Sequence, residues 1–276
     1  MSKTLRFSVT VFILLILKTA WLKAQSPESM NIYSTQTDSS INIYADNNKL
    51  YPQTVKLDLK ITGLKPRKEV PEFTVVPPSS SKFLLTELVI PSGRSWSFNY
   101  SYVYFMGDVN AAHDEEHIYR LPFQTGEAYR VGQGYFGEGS HVGEYALDFN
   151  MEEGTTIVAA RAGMAVEIKE DSNSGCPSKS CAEQGNFVRI LHSDGTFADY
   201  FHLKQNGATV APGTEVEAGD PIGLSGNTGW SSGPHLHFSV FKREEQKRIS
   251  FPTFFKTSES AKTTIEEKET YQAVNR

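Results

Sequence analysis

The chain has 276 residues, of which 39% are hydrophobic and 21% are charged, and its formal net charge is −5 at pH 7. A length of this order suits one or two domains that each bury a hydrophobic core. The sequence contains no basic stripe, so its charge pattern argues against nucleic acid or another polyanion as a partner.

The first 24 residues have the pattern of a secretory signal peptide. A basic start precedes the apolar run FSVTVFILLIL (residues 7–17), and a cleavage site follows Ala24. The run is shorter than the ~20 residues of a membrane span, and an uncleaved N-terminal anchor is the alternative. Cleavage removes four positive charges and no negative ones, which lowers the formal net charge from −5 to −9. We therefore expect an exported protein, periplasmic or secreted, with no membrane span after cleavage.

Residues 25–115 alternate like β-strands and show no helical period. TVKLDLKI (residues 54–61) alternates apolar with polar side chains, and WSFNYSYVYF (residues 96–105) places aromatic side chains on one face. Turn-rich stretches separate these strands, which predicts a small immunoglobulin-like β-sandwich. The aromatic face is either a carbohydrate-binding platform or part of the core, and one-sided aromatic faces are typical of sandwich cores.

The stretch HDEEH at residues 113–117 has the form H-x-x-E-H, in which a helix presents two histidines to zinc. That arrangement needs a helix of several turns, whereas the surrounding residues resemble a short polar connection. We interpret the stretch as a solvated linker between two β domains.

Residues 116–255 are again rich in strand patterns and contain six of the seven histidines of the chain. Cys176 and Cys181 lie in a loop rich in Gly, Ser and Pro, and in an oxidising compartment we expect them to form a local disulfide. The alternative, half of a zinc site, lacks the further cysteines that would complete it. We hypothesise that this loop forms one wall of a groove.

The stretch SSGPHLHFSV (residues 231–240) predicts a strand that presents two histidines together. Alternate side chains of a strand share a face, ~6.6 Å apart, so His235 and His237 point the same way. Leu236 and Phe238 then point into a core. Imidazole is the commonest metal ligand but also an ordinary surface group, so the pair alone leaves both interpretations open.

Three more residues have contexts that suit the same site. His141 and Asp148 come from GSHVGEYALDF, and His202 comes from ADYFHLK, where alternation places it on the face of Tyr200. A hydrolytic zinc site needs three N or O ligands, an open position, and groups that move protons or stabilise an oxyanion. Composition alone does not say which of these residues are ligands.

The order of these motifs resembles the zinc metalloendopeptidases of the lysostaphin and LytM type, the β-lytic cell-wall peptidases. Their marks are a His followed by an Asp, a Y-x-H-L element and a closing H-x-H. The chain has His141 with Asp148, then YFHL, then GPHLHF, and the resemblance covers most of residues 125–242. The commonest family spacing leaves three residues between the first His and the Asp, whereas here six intervene.

The resemblance implies a role for each residue. His141, Asp148 and His237 would bind one Zn²⁺, while His202 and His235 would be catalytic. It further implies an antiparallel β-sheet LytM-type peptidase domain over residues 116–255 that hydrolyses the peptides of peptidoglycan. The alternative is a non-catalytic LytM-like domain that binds and regulates the cell-wall machinery.

The remaining polar residues receive simpler interpretations. We expect His192 to be structural and Asp199 to face solvent. Residues 256–276 are polar and charged, which predicts a disordered tail. The predicted organisation is therefore an all-β chain with a signal peptide, a sandwich, a peptidase domain and this tail.

Overall fold

The computed structural model describes residues 29–245 and 247–275, so the predicted signal peptide (residues 1–24) lies outside the described residues. Apart from a 3₁₀ helix, Lys179–Gln184, the regular elements of the described chain are strands, which confirms the all-β class. None of its described helices has the length and apolarity to cross a membrane. Two compact units divide between Val109 and Asn110, and residues 243–247 group with the first. The sequence pattern predicts this division slightly later, after residue 115.

The first unit contains seven strands: β1 (Met30–Gln36), β2 (Ser40–Asn47), β3 (Gln53–Thr62), β4 (Lys65–Pro66), β5 (Thr74–Val76), β6 (Ser80–Val89) and β7 (Ser97–Met106). They form two antiparallel sheets, ordered β1-β2-β6-β4 and β5-β3-β7. Ile43 of one sheet and Val55 of the other belong to the same hydrophobic cluster. Tyr100, Tyr102 and Tyr104 pack against that cluster, which favours core over a carbohydrate platform for the aromatic face. The immunoglobulin-like character of this unit stays a prediction.

Apart from residues 243–247, which end β19 and begin β20, the second unit holds the remaining strands: β8 (Ile118–Arg120), β9 (Ala128–Gln133), β10 (Leu147–Asn150), β11 (Thr156–Val158), β12 (Gly163–Lys169), β13 (Gly175–Cys176), β14 (Asn186–Leu191), β15 (Phe197–Ala208), β16 (Glu215–Val216), β17 (Pro221–Ser225), β18 (Gly229–Trp230), β19 (His235–Glu244), β20 (Lys247–Phe251), β21 (Phe254–Lys256) and β22 (Thr270–Gln272). Its main sheet runs β16-β12-β14-β15-β19-β10-β9-β22. Strands β10 and β19 are therefore central and adjacent.

The main sheet buries one face in a core and leaves the other to carry polar side chains. Large members of the core are Tyr119, Phe123, Phe149, Ile157, Val188, Tyr200, Leu236, Phe238 and Phe255. Leu236 and Phe238 are fully buried, as the alternation of the H-x-H strand predicts. Because side chains alternate along a strand, their neighbours His235 and His237 lie on the opposite face.

The prediction of a disordered tail over residues 256–276 is wrong. Strand β22 pairs with β9, and Ile265 and Ala273 belong to the buried core. The polar composition of the tail hid these few apolar side chains, which are enough to anchor it. Pairing with β22 also satisfies the backbone groups of β9, which would otherwise form an open sheet edge.

The prediction that Asp199 faces solvent is also wrong, because this residue is buried. Its carboxylate accepts hydrogen bonds from Arg189 at 2.6 Å and from Arg248 at 3.3 Å. It lies on the polar face of the sheet, where alternation suggests exposure, but the two arginines cover it. Ion pairing with both arginines holds the pKa of the Asp199 carboxyl below its usual range against the opposing effect of burial.

No helix forms over the HDEEH stretch, so the H-x-x-E-H arrangement of a zinc peptidase is absent from residues 113–117. The His113 ring stacks on Phe251 with centroids 4.6 Å apart, and the His117 ring meets Tyr119 edge-on at 4.7 Å. The stretch is a turn whose histidines pack on aromatic rings.

Candidate metal centre

Strand pairing places three polar side chains in one row across the sheet. Asp148 of β10 is opposite His237 of β19 on one side and opposite Gln133 of β9 on the other. Residues that are directly opposite in neighbouring strands present their side chains to the same face. The row therefore gathers a carboxylate, an imidazole and an amide on the polar face of the sheet.

His141 joins this row from the loop between β9 and β10, and its side chain is fully buried. Its Nε2 lies 3.1 Å from Asp148 Oδ1 and 3.2 Å from His237 Nδ1, and the last two atoms are 3.0 Å apart. The three atoms form a nearly equilateral triangle, and these are the three residues that the resemblance assigns to the metal.

The triangle fits a metal ion. Ligand atoms about 2.0–2.1 Å from a tetrahedral zinc ion lie about 3.3 Å from one another, close to the observed separations. His141 Nδ1 lies 2.9 Å from the Gly134 carbonyl oxygen, which can only accept, so Nδ1 carries the proton and Nε2 presents its lone pair. Two nitrogens and a carboxylate oxygen thus converge on one position.

The electrostatics of the triangle also favour a cation. Burial disfavours the charged form of His141, but the hydrogen bond with Asp148, the charge of that carboxylate and the hydrogen bond to Gly134 together outweigh burial and raise the pKa of the ring. Burial likewise opposes the charge of Asp148, yet hydrogen bonds with His141 and His237 hold its pKa below the usual range. A carboxylate that remains ionised in a largely buried position attracts positive charge, whether a proton on imidazole or a metal ion.

Gln133 supports the triangle from β9. Its Nε2 donates to Ser140 Oγ at 2.8 Å and to Asp148 Oδ2 at 3.3 Å, and its Oε1 accepts from the backbone N–H of Gly139 at 3.0 Å. The amide therefore ties Asp148 to the loop that carries His141. A β-bulge at Gly132 makes this possible, because one extra residue in β9 lets Arg130 and Gln133 share a face.

His235 lies in the next row of the same face, opposite Asn150 of β10. Its Nδ1 donates to the Gly233 carbonyl oxygen at 2.8 Å, with Ser231 Oγ 3.2 Å away. This leaves Nε2 directed toward the triangle, 3.7 Å from Asp148 Oδ1. The loop before β19 thus fixes the ring beside the metal position without making it one of the three converging donors.

His202 reaches the site through a second β-bulge. The pairing of β14 with β15 passes from Phe201 directly to Leu203, so His202 is an extra residue in the strand. Its φ of +67° lies in the left-handed region, which costs a non-glycine residue roughly 1–2 kcal/mol. The expectation that His202 shares the face of Tyr200 is therefore wrong, because the bulge breaks the alternation and turns its side chain to the polar face.

The bulge brings the His202 ring within 4.5 Å of the His235 ring, centroid to centroid. Its Nδ1 donates to the Thr228 carbonyl oxygen at 2.6 Å, so Nε2 is the unprotonated nitrogen of the neutral ring. Burial, together with the nearby His235 and His237, lowers the pKa of His202 to about 3. The ring is neutral near pH 7, with a lone pair available to accept a proton.

A cleft of about 710 Å³ opens beside these residues. It is lined by Arg130, Gly132, Gln133, Gly139, Ser140, Asp148, Asn150, Pro177, Trp230, Ser231, Ser232, Gly233, Pro234 and His235. Cys176 and Cys181 form a disulfide next to Pro177, and Cys176 pairs with Trp230 through β13 and β18. The disulfide loop thus contributes Pro177 to the lining.

Sequence reasoning missed the residues that orient the histidines, namely Gln133, Thr228 and Ser231. Gln133 had a detectable signal, since it lies in a strand pattern shortly before the His141 motif. Thr228 acts through its backbone carbonyl group, a role that no side-chain pattern reveals. His192, which we expected to be structural, is buried and bonds through Nδ1 to the Ala162 carbonyl oxygen at 2.9 Å.

Comparison with known proteins finds similarity to one family over part of the chain. The profile of Peptidase family M23 matches residues 142–249. Lysostaphin of Staphylococcus simulans is 36% identical over 117 residues, 40% of this chain and 21% of that protein. The peptidoglycan DD-endopeptidase ShyA of Vibrio cholerae is 34% identical over 96 residues, 35% of this chain and 20% of that protein. These matches confirm the resemblance and its C-terminal placement.

Two further comparisons show how far the similarity extends. An uncharacterized metalloprotease of Buchnera aphidicola is 35% identical over 113 residues, 41% of this chain and 26% of that protein. The catalytic domain of lysostaphin from Staphylococcus simulans is 28% identical, covering 45% of this chain and 87% of the domain with a TM-score of 0.32. The chain thus spans about a quarter or less of the length of the curated relatives named here.

Proposed function

We propose that this chain, whose residues 142–249 form a family M23 peptidase domain, is an exported zinc-dependent endopeptidase of peptidoglycan peptides. The observation that carries the proposal is the convergence of two imidazoles and one carboxylate on a single position beside a cleft. Relatives of the domain include a protein named as a peptidoglycan DD-endopeptidase and another named as a glycyl-glycine endopeptidase. Both names describe hydrolysis of a peptide bond.

In this proposal His141, Asp148 and His237 hold the metal. Two nitrogen donors and one carboxylate oxygen are a usual ligand set for catalytic zinc, which keeps its fourth position open. When bound, zinc polarises the scissile carbonyl group and makes a water molecule acidic near neutral pH. Gln133 holds Asp148 in place, and the Gly134 carbonyl group fixes the tautomer of His141.

The two remaining histidines of the site handle protons and charge. His202 is neutral and presents Nε2, so it accepts a proton from the attacking water and returns it to the leaving amine. His235 donates its Nδ1 proton to the Gly233 carbonyl oxygen, so it is the imidazolium form of this ring that donates from Nε2 and stabilises the oxyanion at the scissile carbonyl group. Hydrogen bonds to Thr228 and Gly233 hold both rings in these orientations.

Peptidoglycan peptides digested by the purified chain, with and without a zinc chelator, provide the test. Mass spectrometry should detect new peptide fragments that disappear with the chelator and return when zinc is added back. Asp148→Ala is the matched negative control, because it removes one ligand and leaves the cleft. Intact peptidoglycan in the presence of stoichiometric bound zinc would overturn the proposal. Intact peptidoglycan with no bound metal would favour a non-catalytic binding domain.

A further inference from the structure

The row of side chains next to the metal ligands ends at a positively charged residue, Arg130. Asn150 of β10 is opposite His235 of β19 and also opposite Arg130 of β9, so the three share one face of the sheet. Neighbouring strands lie ~4.8 Å apart, which puts the Arg130 backbone about 10 Å from that of His235. Arg130, Asn150 and His235 all line the cleft.

Arg130 has no anionic partner among the described residues, unlike three other arginines of the second unit. Arg189 and Arg248 both pair with Asp199, and Arg161 pairs with Asp194. Arg130 is exposed and forms no ion pair within the described chain. Asp148 is the one acidic side chain among the cleft-lining residues, and it belongs to the metal triangle. The cleft therefore carries an uncompensated positive charge at this end.

The side chain of Asn150 lies on the polar face of the sheet beside Arg130, in space that Gly132 leaves free. A Cβ atom at Gly132 would overlap the Asn150 side-chain amide oxygen, so the absence of a side chain there gives the amide its place. The Asn150 amide thus lies beside the bulge, with donors and acceptors available to a ligand in the cleft. A guanidinium group next to a free amide suits a carboxylate, which accepts two N–H bonds from arginine in a planar fork.

We infer that Arg130, assisted by Asn150, is a specificity-determining residue that binds a carboxylate of the substrate peptide on one side of the scissile bond. The inference rests on the proposed function and narrows it, because it favours peptides with free carboxylates over uncharged oligoglycine. The distance of about 10 Å across two strands corresponds to about three residues of extended peptide, so the carboxylate lies a few residues from the cleaved bond.

The test compares two forms of a peptidoglycan peptide dimer that differ only in whether their carboxylates are free or amidated, with pentaglycine as a third substrate. We expect the zinc-loaded chain to cleave the free-carboxylate form with a kcat/KM about ten- to hundred-fold above the amidated form. Arg130→Ala should raise KM for the carboxylate form toward that of the amidated form and leave kcat unchanged. Arg130→Lys should restore part of the preference.

Arg94→Ala is the matched control, since Arg94 is an exposed arginine of the first unit, and it should change neither constant. Equal cleavage of both dimers by the unaltered chain, or faster cleavage of pentaglycine, would overturn the inference and leave the proposed function standing. If Arg130→Ala lowers kcat/KM equally for both dimers, the inference is wrong and the role of Arg130 is structural.

A binding measurement separates this inference from a failure of catalysis. Calorimetric titration of His202→Ala with the same two dimers reports recognition without turnover. The preference for free carboxylates should persist in that variant and vanish when Arg130→Ala is added. Equal affinity for both dimers would overturn the inference, whereas a preference without cleavage by the unaltered chain would contradict the proposed function alone.

Discussion

Two groups of histidines in the second unit differ in what surrounds their rings. In the site group, ring nitrogens of His141, His235 and His237 approach the Asp148 carboxylate, and the His202 ring lies against that of His235. In the remote group the rings pack around Tyr119, and its members are His113, His117 and His192. Local sequence spacing does not separate the groups, since HDEEH looks as much like a metal motif as HLH does.

The carboxylate next to each group explains the difference. Within the part of the chain that the structure describes, Asp148 pairs with no cationic side chain beyond the histidines, so its charge is available to a metal. Asp194 beside the remote group is paired with Arg161 at 2.6 Å and accepts from Thr196. Its charge is already neutralised, so the remote histidines have no anionic centre on which to converge. In this domain the uncommitted carboxylate of Asp148 therefore distinguishes the site group from the remote group.

The largest effect should come from the metal triangle. Asp148→Ala or His237→Ala removes one of three ligands, so we expect loss of bound zinc together with loss of activity to the detection limit. The control variant His117→Ala, in the remote group, should retain both the bound zinc and the activity. Metal analysis by mass spectrometry alongside peptide cleavage checks this, and stoichiometric zinc in either ligand variant would contradict the assignment.

Substitution of the two other histidines of the site should lower the rate of hydrolysis and leave the amount of bound zinc unchanged. His202→Ala or His235→Ala leaves the triangle intact, so zinc content should be unchanged. Loss of a proton-transfer or oxyanion group should lower kcat by about 10²–10⁴-fold. Loss of zinc in either variant would mean that the ligand and catalytic roles are assigned the wrong way round.

Substitution of Gln133 should have a smaller effect on zinc binding, because Gln133 hydrogen-bonds Asp148 and the loop that carries His141 but is not itself one of the three ligands. Gln133→Ala should weaken zinc affinity by about 10–100-fold, the usual result of removing a group that orients a ligand. Competition with a chelator measures that affinity. Gln205→Ala, on β15 and outside the cleft lining, is the control, and equal affinities in the two variants would refute the orienting role.

The remote group should influence stability rather than catalysis. Burial lowers the pKa of His192 to about 4, below its ordinary value of 6.5. The unfolded chain therefore binds more protons than the folded chain between these values, and stability falls as pH falls from about 6.5 toward 4. One such group contributes a slope of about 1 kcal/mol per pH unit.

His192→Gln should flatten this acid-side slope, because glutamine gains no charge. Thermal unfolding at a series of pH values measures the slope, with His117→Gln as control. The informative quantity is the change of Tm with pH rather than Tm itself, since the substitution also alters packing. An unchanged slope would show that His192 is not buried in its neutral form.

Much of the site followed from two features of the sequence. Strand alternation placed His235 and His237 together, and the order of the motifs supplied the family. The choice of His141, Asp148 and His237 as the metal group came from the resemblance, and the structure brings these three together. Alternation failed at His202 because a bulge adds one residue to the strand and leaves no mark in composition.

The other errors have a related cause. Asp199 was expected in solvent because alternation identifies a face but not what covers it, and its two arginines come from other strands. The tail was expected to be disordered because average composition dilutes a few apolar residues such as Ile265. Both outcomes depend on long-range pairing, which a local pattern does not contain.

The bulge at His202 has a consequence for how this domain can evolve. Phe201 and Leu203 already alternate correctly if His202 is skipped, so the strand carries His202, for which we propose a proton-transfer role, as an insertion. A deletion of that single codon would restore regular pairing with β14 and remove a residue held at φ +67°. The same deletion would remove the hydrogen bond from His202 to the Thr228 carbonyl oxygen, so the strained backbone at this position is retained together with the ring that the proposed function requires.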